Sequence, residues 1–282
     1  MSRFLKKIIF FGLVLAIASP VFFSQKPLFG ILLRQEVFFQ GVIEFVFILY
    51  LFLAFLEPSY RPRPSMVAIA VLVWLFVWGA VTFLSPDISR SFLSSRDRLT
   101  GYFLSLHLAA FFFILTSFLQ NEKDRRKLLL VSIFTSVLVS LYGLGQRLGL
   151  IGAPLRVLGS FRISSLFGNP SFLAGYLLFN IFFSLWLFSK EARKNWRYFL
   201  AGSLALNGLV LFLTSTRGAL LGLYAGAVVL AALLALRLEQ ARLKKFAVLG
   251  LTGLILLPLF IFLLGRVMPS FKEASSPVYL TR

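Results

Sequence analysis

The sequence has no cysteine, one histidine and only 10 acidic residues among 282. The lack of cysteine excludes disulfides, zinc–thiolate sites and thiol nucleophiles. The shortage of carboxylates weighs against a divalent-metal transferase, whose metal is held by acids on early outer loops. The loop 24–36 offers only Glu36, and Asp87 and Asp97 stand ten residues apart with no close acidic pair. Charge is scarce altogether: 14% of residues are charged and 59% apolar, against about 25% and 45–50% in soluble domains. Apolar blocks of about twenty residues recur without period-two alternation, which excludes a soluble domain and a membrane barrel. An all-α polytopic membrane protein remains, because a spanning segment in lipid must satisfy its backbone polar groups internally.

The blocks predict about nine transmembrane helices, near 4–23, 37–56, 66–84, 101–119, 128–146, 171–189, 198–216, 217–236 and 246–265. The first reads as a retained anchor rather than a cleaved signal peptide, since so many spans follow it. The 34 phenylalanines read as lipid-facing and inter-helix filler. A net charge of +19 does not indicate nucleic-acid binding, because the basic residues fall in short clusters between the apolar blocks. Counted on alternate sides, the N-terminus, 57–65, 120–127, 190–197 and 237–245 hold three, two, four, four and four Lys and Arg, seventeen of the 29. The excess of Lys and Arg on that side predicts a cytoplasmic N-terminus and, after nine spans, an extracytoplasmic C-terminus.

The outer side nevertheless carries Arg90, Arg96, Arg98, Arg147, Arg156, Arg162, Arg217 and Arg266. Each taken singly fits headgroup anchoring. As a set, the preference for arginine suits a polyanionic ligand, because the guanidinium fork binds phosphate in a bidentate way. Two stretches stand out. In Arg162-Ile-Ser-Ser-Leu-Phe-Gly-Asn169-Pro170-Ser171, Gly-Asn-Pro makes a turn and Pro170 takes a favoured first-turn position in the sixth span. The helix N-terminus then faces outward near Arg162, either as a phosphate seat or as a bare turn and cap. In Leu213-Thr-Ser-Thr-Arg217-Gly-Ala-Leu220, an arginine lies close to hydrocarbon depth where two spans meet. A charge so placed faces an aqueous cavity or a partner.

Together, R-I-S-S-L-F-G-N-P-S-F-L-A-G-Y-L and L-T-S-T-R-G-A-L-L-G resemble the two signature segments of the O-antigen ligase/polymerase family of membrane glycosyltransferases, which includes protein O-oligosaccharyltransferases. The resemblance is strongest over about 160–235, and Arg96-Asp-Arg98-Leu-Thr-Gly101 is similar to a helix start often seen in the third outer loop. It implies a GT-C-like fold in the bacterial cytoplasmic (inner) membrane, needing no metal or other cofactor. The implied activity moves a glycan from undecaprenyl diphosphate at the outer leaflet to lipid A core, a polysaccharide or a protein. Arg162 and Arg217 would bind the diphosphate and stabilise it as it leaves, with Asn169, Arg96, Arg98 and Arg147 as further substrate contacts.

Family members usually continue into a long extracytoplasmic segment with a histidine that activates the acceptor, followed by further spans. Residues 1–282, a single membrane domain, are therefore expected to be an N-terminal fragment that binds the lipid-linked glycan without turning it over. Within the spans, Glu44 and His107 lie at similar depth and can meet, either as a base or proton relay or as a structural pair. A transporter or flippase for lipid-linked anions and a non-catalytic scaffold are the other readings. Transport calls for polar residues through the midplane, whereas the span centres read as almost uniformly Leu, Phe, Val, Ile and Ala.

Overall fold

The computed structural model describes residues 2–22, 31–94, 101–150 and 162–237, together with position 252. Among these, regular structure consists of helices: α1 (Ser2–Ala18), α2 (Ile31–Leu56), α3 (Met66–Phe83), α4 (Ile88–Leu93), α5 (Tyr102–Phe118), α6 (Glu122–Arg147), α7 (Pro170–Lys190), α8 (Lys194–Leu213) and α9 (Arg217–Arg237), with three short 3-10 turns. Six candidate spans are long and apolar enough to cross a bilayer: Ser2–Val21, Gln35–Leu56, Met66–Phe83, Glu122–Arg147, Pro170–Lys190 and Lys194–Leu213. Tyr102–Phe118 and Arg217–Leu233 are shorter apolar helices. These eight correspond to the first eight apolar blocks; the block at 246–265 lies outside the described residues.

The helix starts follow local chemistry. Ser65 caps α3 by accepting from the Ala68 N–H at 3.1 Å, and Asp87 caps α4 by accepting from the Arg90 N–H at 2.9 Å. Acidic Glu122 and Asp124 in the first turn of α6 and Arg147 in its last complement the helix dipole.

The chain forms two compact units, Met1–Thr216 and Arg217–Arg282. In the first, Leu5, Ile9 and Leu13 of α1 recur every four residues and pack on Val46, Tyr50 and Leu53 of α2, with Ile114 of α5 and Leu128 of α6 completing the cluster. Gly12 lets α1 close on α2, because a Cβ there would meet the Val46 side chain. One end of the unit is tied by Ser2 and Lys6 to Glu57, by Gln120 Nε2 to the Ser59 carbonyl at 2.7 Å and by Arg126 to Glu191. The opposite end carries the turn before α7.

The expectation of uniformly apolar span centres fails for α6, α7 and α8. Ser140 Oγ donates to Asn207 Oδ1 and Asn207 Nδ2 to Ser136 Oγ, each at 2.8 Å. Ser132 Oγ donates to Asn180 Oδ1 at 2.8 Å, Asn180 Nδ2 to the Tyr176 carbonyl at 3.0 Å, and Ser203 Oγ to Ser184 Oγ at 3.1 Å. All of these Ser and Asn side chains are buried. In place of hydrophobic contrast, which lipid does not supply between helices, such bonds and the close approach of small residues hold spans together.

Candidate functional site

The segment leading into α7 is a buried plug rather than a surface turn. Ile163, Ser164, Ser165 and Leu166 are all buried. Ser165 takes a left-handed backbone at φ 49°, and its Oγ donates to the Val139 carbonyl at 2.6 Å. Gln35 Nε2 of α2 donates to the Leu166 carbonyl at 3.2 Å and to the Pro20 carbonyl at 2.9 Å. Glycine at position 143 admits the plug, since a Cβ there would stand 2.8 Å from Ile163 Cγ2 and 3.2 Å from Ser165 Cβ. The turn itself follows the sequence: Gly168 at φ 64°, Asn169 extended as the N-cap, and Pro170 opening α7. Asn169 Oδ1 accepts from the Ser171 N–H at 2.8 Å, so that donor of the helix start is used within the turn.

Arg162 begins this plug and is exposed. Its Nε donates to the Thr214 carbonyl at 2.8 Å and its Nη2 to Thr216 Oγ1 at 3.1 Å. Beneath it, Ile163 N donates to the Leu213 carbonyl at 3.4 Å, and buried Thr214 donates from Oγ1 to the Leu211 carbonyl at 2.7 Å. Ser215 adopts φ 51°, turning the chain directly after α8. The two stretches singled out in the sequence, 162–176 and 213–220, are thus hydrogen-bonded through Arg162. With Nε fixed, the plane of the guanidinium is set, and a preoriented positive fork suits phosphate oxygens.

The other sequence candidates are placed as follows. Arg217 is the exposed first residue of α9 and is described with the second unit. Arg147 is exposed in the last turn of α6. Arg96 and Arg98 lie outside the described residues. Glu44 and His107 do meet: His107 Nε2 is 3.0 Å from Glu44 Oε1, and its Nδ1 is 2.7 Å from the Phe103 carbonyl. A carbonyl can only accept, so Nδ1 carries a hydrogen. The Nε2–Oε1 bond then requires one proton shared between imidazole and carboxylate.

Sequence reasoning missed the neighbours of that pair. Glu36, Gln40 and Glu44 recur every four residues on α2, which places them one above another on a single face. Gln40 is buried. Among the described residues, Glu36 Oε2 and Gln40 Nε2 are both buried with no hydrogen-bond partner. The spacing was readable as polar residues interrupting an apolar run. As a lone acid in a short loop Glu36 reads as a poor metal ligand, and Gln40 carries no charge to draw notice. Comparison with known proteins finds no matching family model, no similar curated protein and no similar solved structure.

Proposed function

We propose that this chain belongs to a membrane glycosyltransferase that takes a glycan from undecaprenyl diphosphate at the outer leaflet of the bacterial cytoplasmic membrane and transfers it to an acceptor. Arg162 and Arg217 bind the diphosphate, and Asn169, Arg96, Arg98 and Arg147 contribute to the surrounding substrate site. In this reading the chain crosses the membrane nine times in a GT-C-like arrangement, with its N-terminus in the cytoplasm.

The observation that supports it is the Arg162 clamp on Thr214 and Thr216, which joins the two sequence stretches whose pairing carries the family resemblance. Negative charge builds on the diphosphate as its bond to the sugar breaks, so guanidiniums fixed beforehand favour the transition state over the ground state.

The test compares Arg162→Lys, Arg217→Lys and Arg90→Lys in membranes carrying the full-length protein. Losing one charge-assisted hydrogen bond costs about 1.5–3 kcal/mol, so the first two substitutions should each slow glycan transfer by about tenfold or more. Arg90→Lys, on the short helix α4, should have little effect. Wild-type transfer in all three variants would overturn the diphosphate assignment.

A further inference from the structure

The line of Glu36, Gln40, Glu44 and His107, in which Gln40 and His107 are buried, Glu36 is half-buried and Glu44 is exposed, differs from the buried polar groups elsewhere in the first unit. The serines and asparagines between α6, α7 and α8 satisfy one another. On α2, by contrast, Gln40 is 6% exposed and its Nε2 has no partner among the described residues, and one turn away Glu36 Oε2 has none either. A donor and an acceptor one turn apart, buried and not bonded to each other, can both be satisfied by a bridging water. One turn further on, the shared proton of Glu44 and His107 continues the line. At about 1.5 Å per residue, Glu36 to Glu44 covers about 12 Å. The end at Glu36 adjoins the plug, because Gln35, the preceding residue, donates to the Leu166 carbonyl.

We propose that Glu36, Gln40, Glu44 and His107 form a hydrated proton-accepting site, and that it takes up the proton an acceptor hydroxyl loses during transfer; this role rests on the glycosyltransferase reading. In that step the acceptor O–H bond breaks and its electron pair forms the new bond to the anomeric carbon. The bond from that carbon to the diphosphate oxygen breaks, and its electron pair leaves with the diphosphate. The proton passes through water to the Glu36 carboxylate. Gln40 orders the water, the Glu44–His107 pair keeps its own proton at the far end of the line, and solvent at the plug end recovers the transferred proton from Glu36 after turnover.

The cysteine-free chain permits a direct test for water. Gln40→Cys and Glu36→Cys are exposed in reconstituted protein to a small charged methanethiosulfonate, which reacts with thiolate formed in contact with water. Val46→Cys, buried on α2 against α1 and off the line, and Phe45→Cys, on its exposed apolar side, serve as controls. Cysteines at 40 and 36 should be modified at least about tenfold faster than those at 46 and 45. Equal inertness at 40 and 46 would remove the hydrated site, whatever the protein's activity.

The proton role is read from glycan transfer by the full-length protein. Glu36→Gln should slow it by about 100-fold, in the range that general-base catalysis contributes, while binding of the undecaprenyl diphosphate glycan is retained. Gln40→Leu should slow transfer and change its solvent deuterium isotope effect, which a packing role alone would leave as it was. Wild-type transfer by Glu36→Gln while Arg162→Lys is impaired would overturn the proton role and leave the glycosyltransferase reading standing. Wild-type transfer by Arg162→Lys would instead sink that reading, and thiol modification at position 40 would still decide whether the site holds water.

Discussion

Glu191, just past the last turn of α7, shows how one side chain can fix a junction between helices. It accepts from the Arg193 backbone N–H at 3.0 Å and from Arg193 Nε at 3.2 Å, and pairs with Arg126 of α6. The Arg193 N–H first, then the Arg193 and Arg126 guanidiniums, hold its carboxyl below the ordinary value of 4.5. A carboxylate whose folded pKa is depressed stabilises the fold above its unfolded pKa, and that contribution is lost as pH falls through the folded value. Wild-type protein in detergent should therefore melt above Glu191→Gln at neutral pH, and the gap should close as pH drops below about 4.5. A gap unchanged down to pH of about 3 would show that the pairing contributes nothing through charge.

At the scale of the element, the α6–α7–α8 assembly depends on Asn207, which bonds two serines of α6 at once. Asn207→Leu removes the acceptor of the Ser140 hydroxyl, while Ser136 still donates to the Ile133 carbonyl at 2.7 Å; a buried group left unsatisfied costs about 1–3 kcal/mol. Thermal unfolding should fall by several degrees, whereas Leu209→Ala, on the exposed side of α8, should shift it little. A smaller loss for Asn207→Leu than for Leu209→Ala would mean the network is incidental. The helices themselves were legible in the sequence, because an apolar run of spanning length with a proline, serine or aspartate at its start has few other solutions in lipid. Which way their polar residues face was not legible: Ser136 and Asn207 interrupt apolar runs in the same manner whether they meet a partner or a lipid tail. The turn at Gly168-Asn169-Pro170 was readable from local backbone preference. Burial of Ile163 to Leu166 was not, since it requires a glycine at 143 and a glutamine at 35, both remote in sequence. The meeting of Glu44 and His107 was within reach because two rare ionisable residues at equal depth in lipid have reason to pair.

For the whole molecule, the alternation of helix direction places Ser59 with Glu57 and Gln120 at one end of the first unit, opposite the Arg162 plug. In the proposed topology that end faces the cytoplasm. A single cysteine replacing Ser95, between α4 and α5, should therefore react with an impermeant maleimide in intact cells, and one replacing exposed Ser59 should react only after the membrane is opened. The reverse pattern would move the arginine set to the cytoplasm. The position of His107 in α5 has an electrical consequence. Beyond it the helix continues only from Leu108 to Phe118, about 16 Å at 1.5 Å per residue, against a hydrocarbon layer of about 30 Å. If water reaches the Glu44–His107 pair, the insulating layer beneath it is about half the usual thickness. A given membrane voltage then falls across that shorter distance, and the local field under the pair is about twice that of the surrounding bilayer.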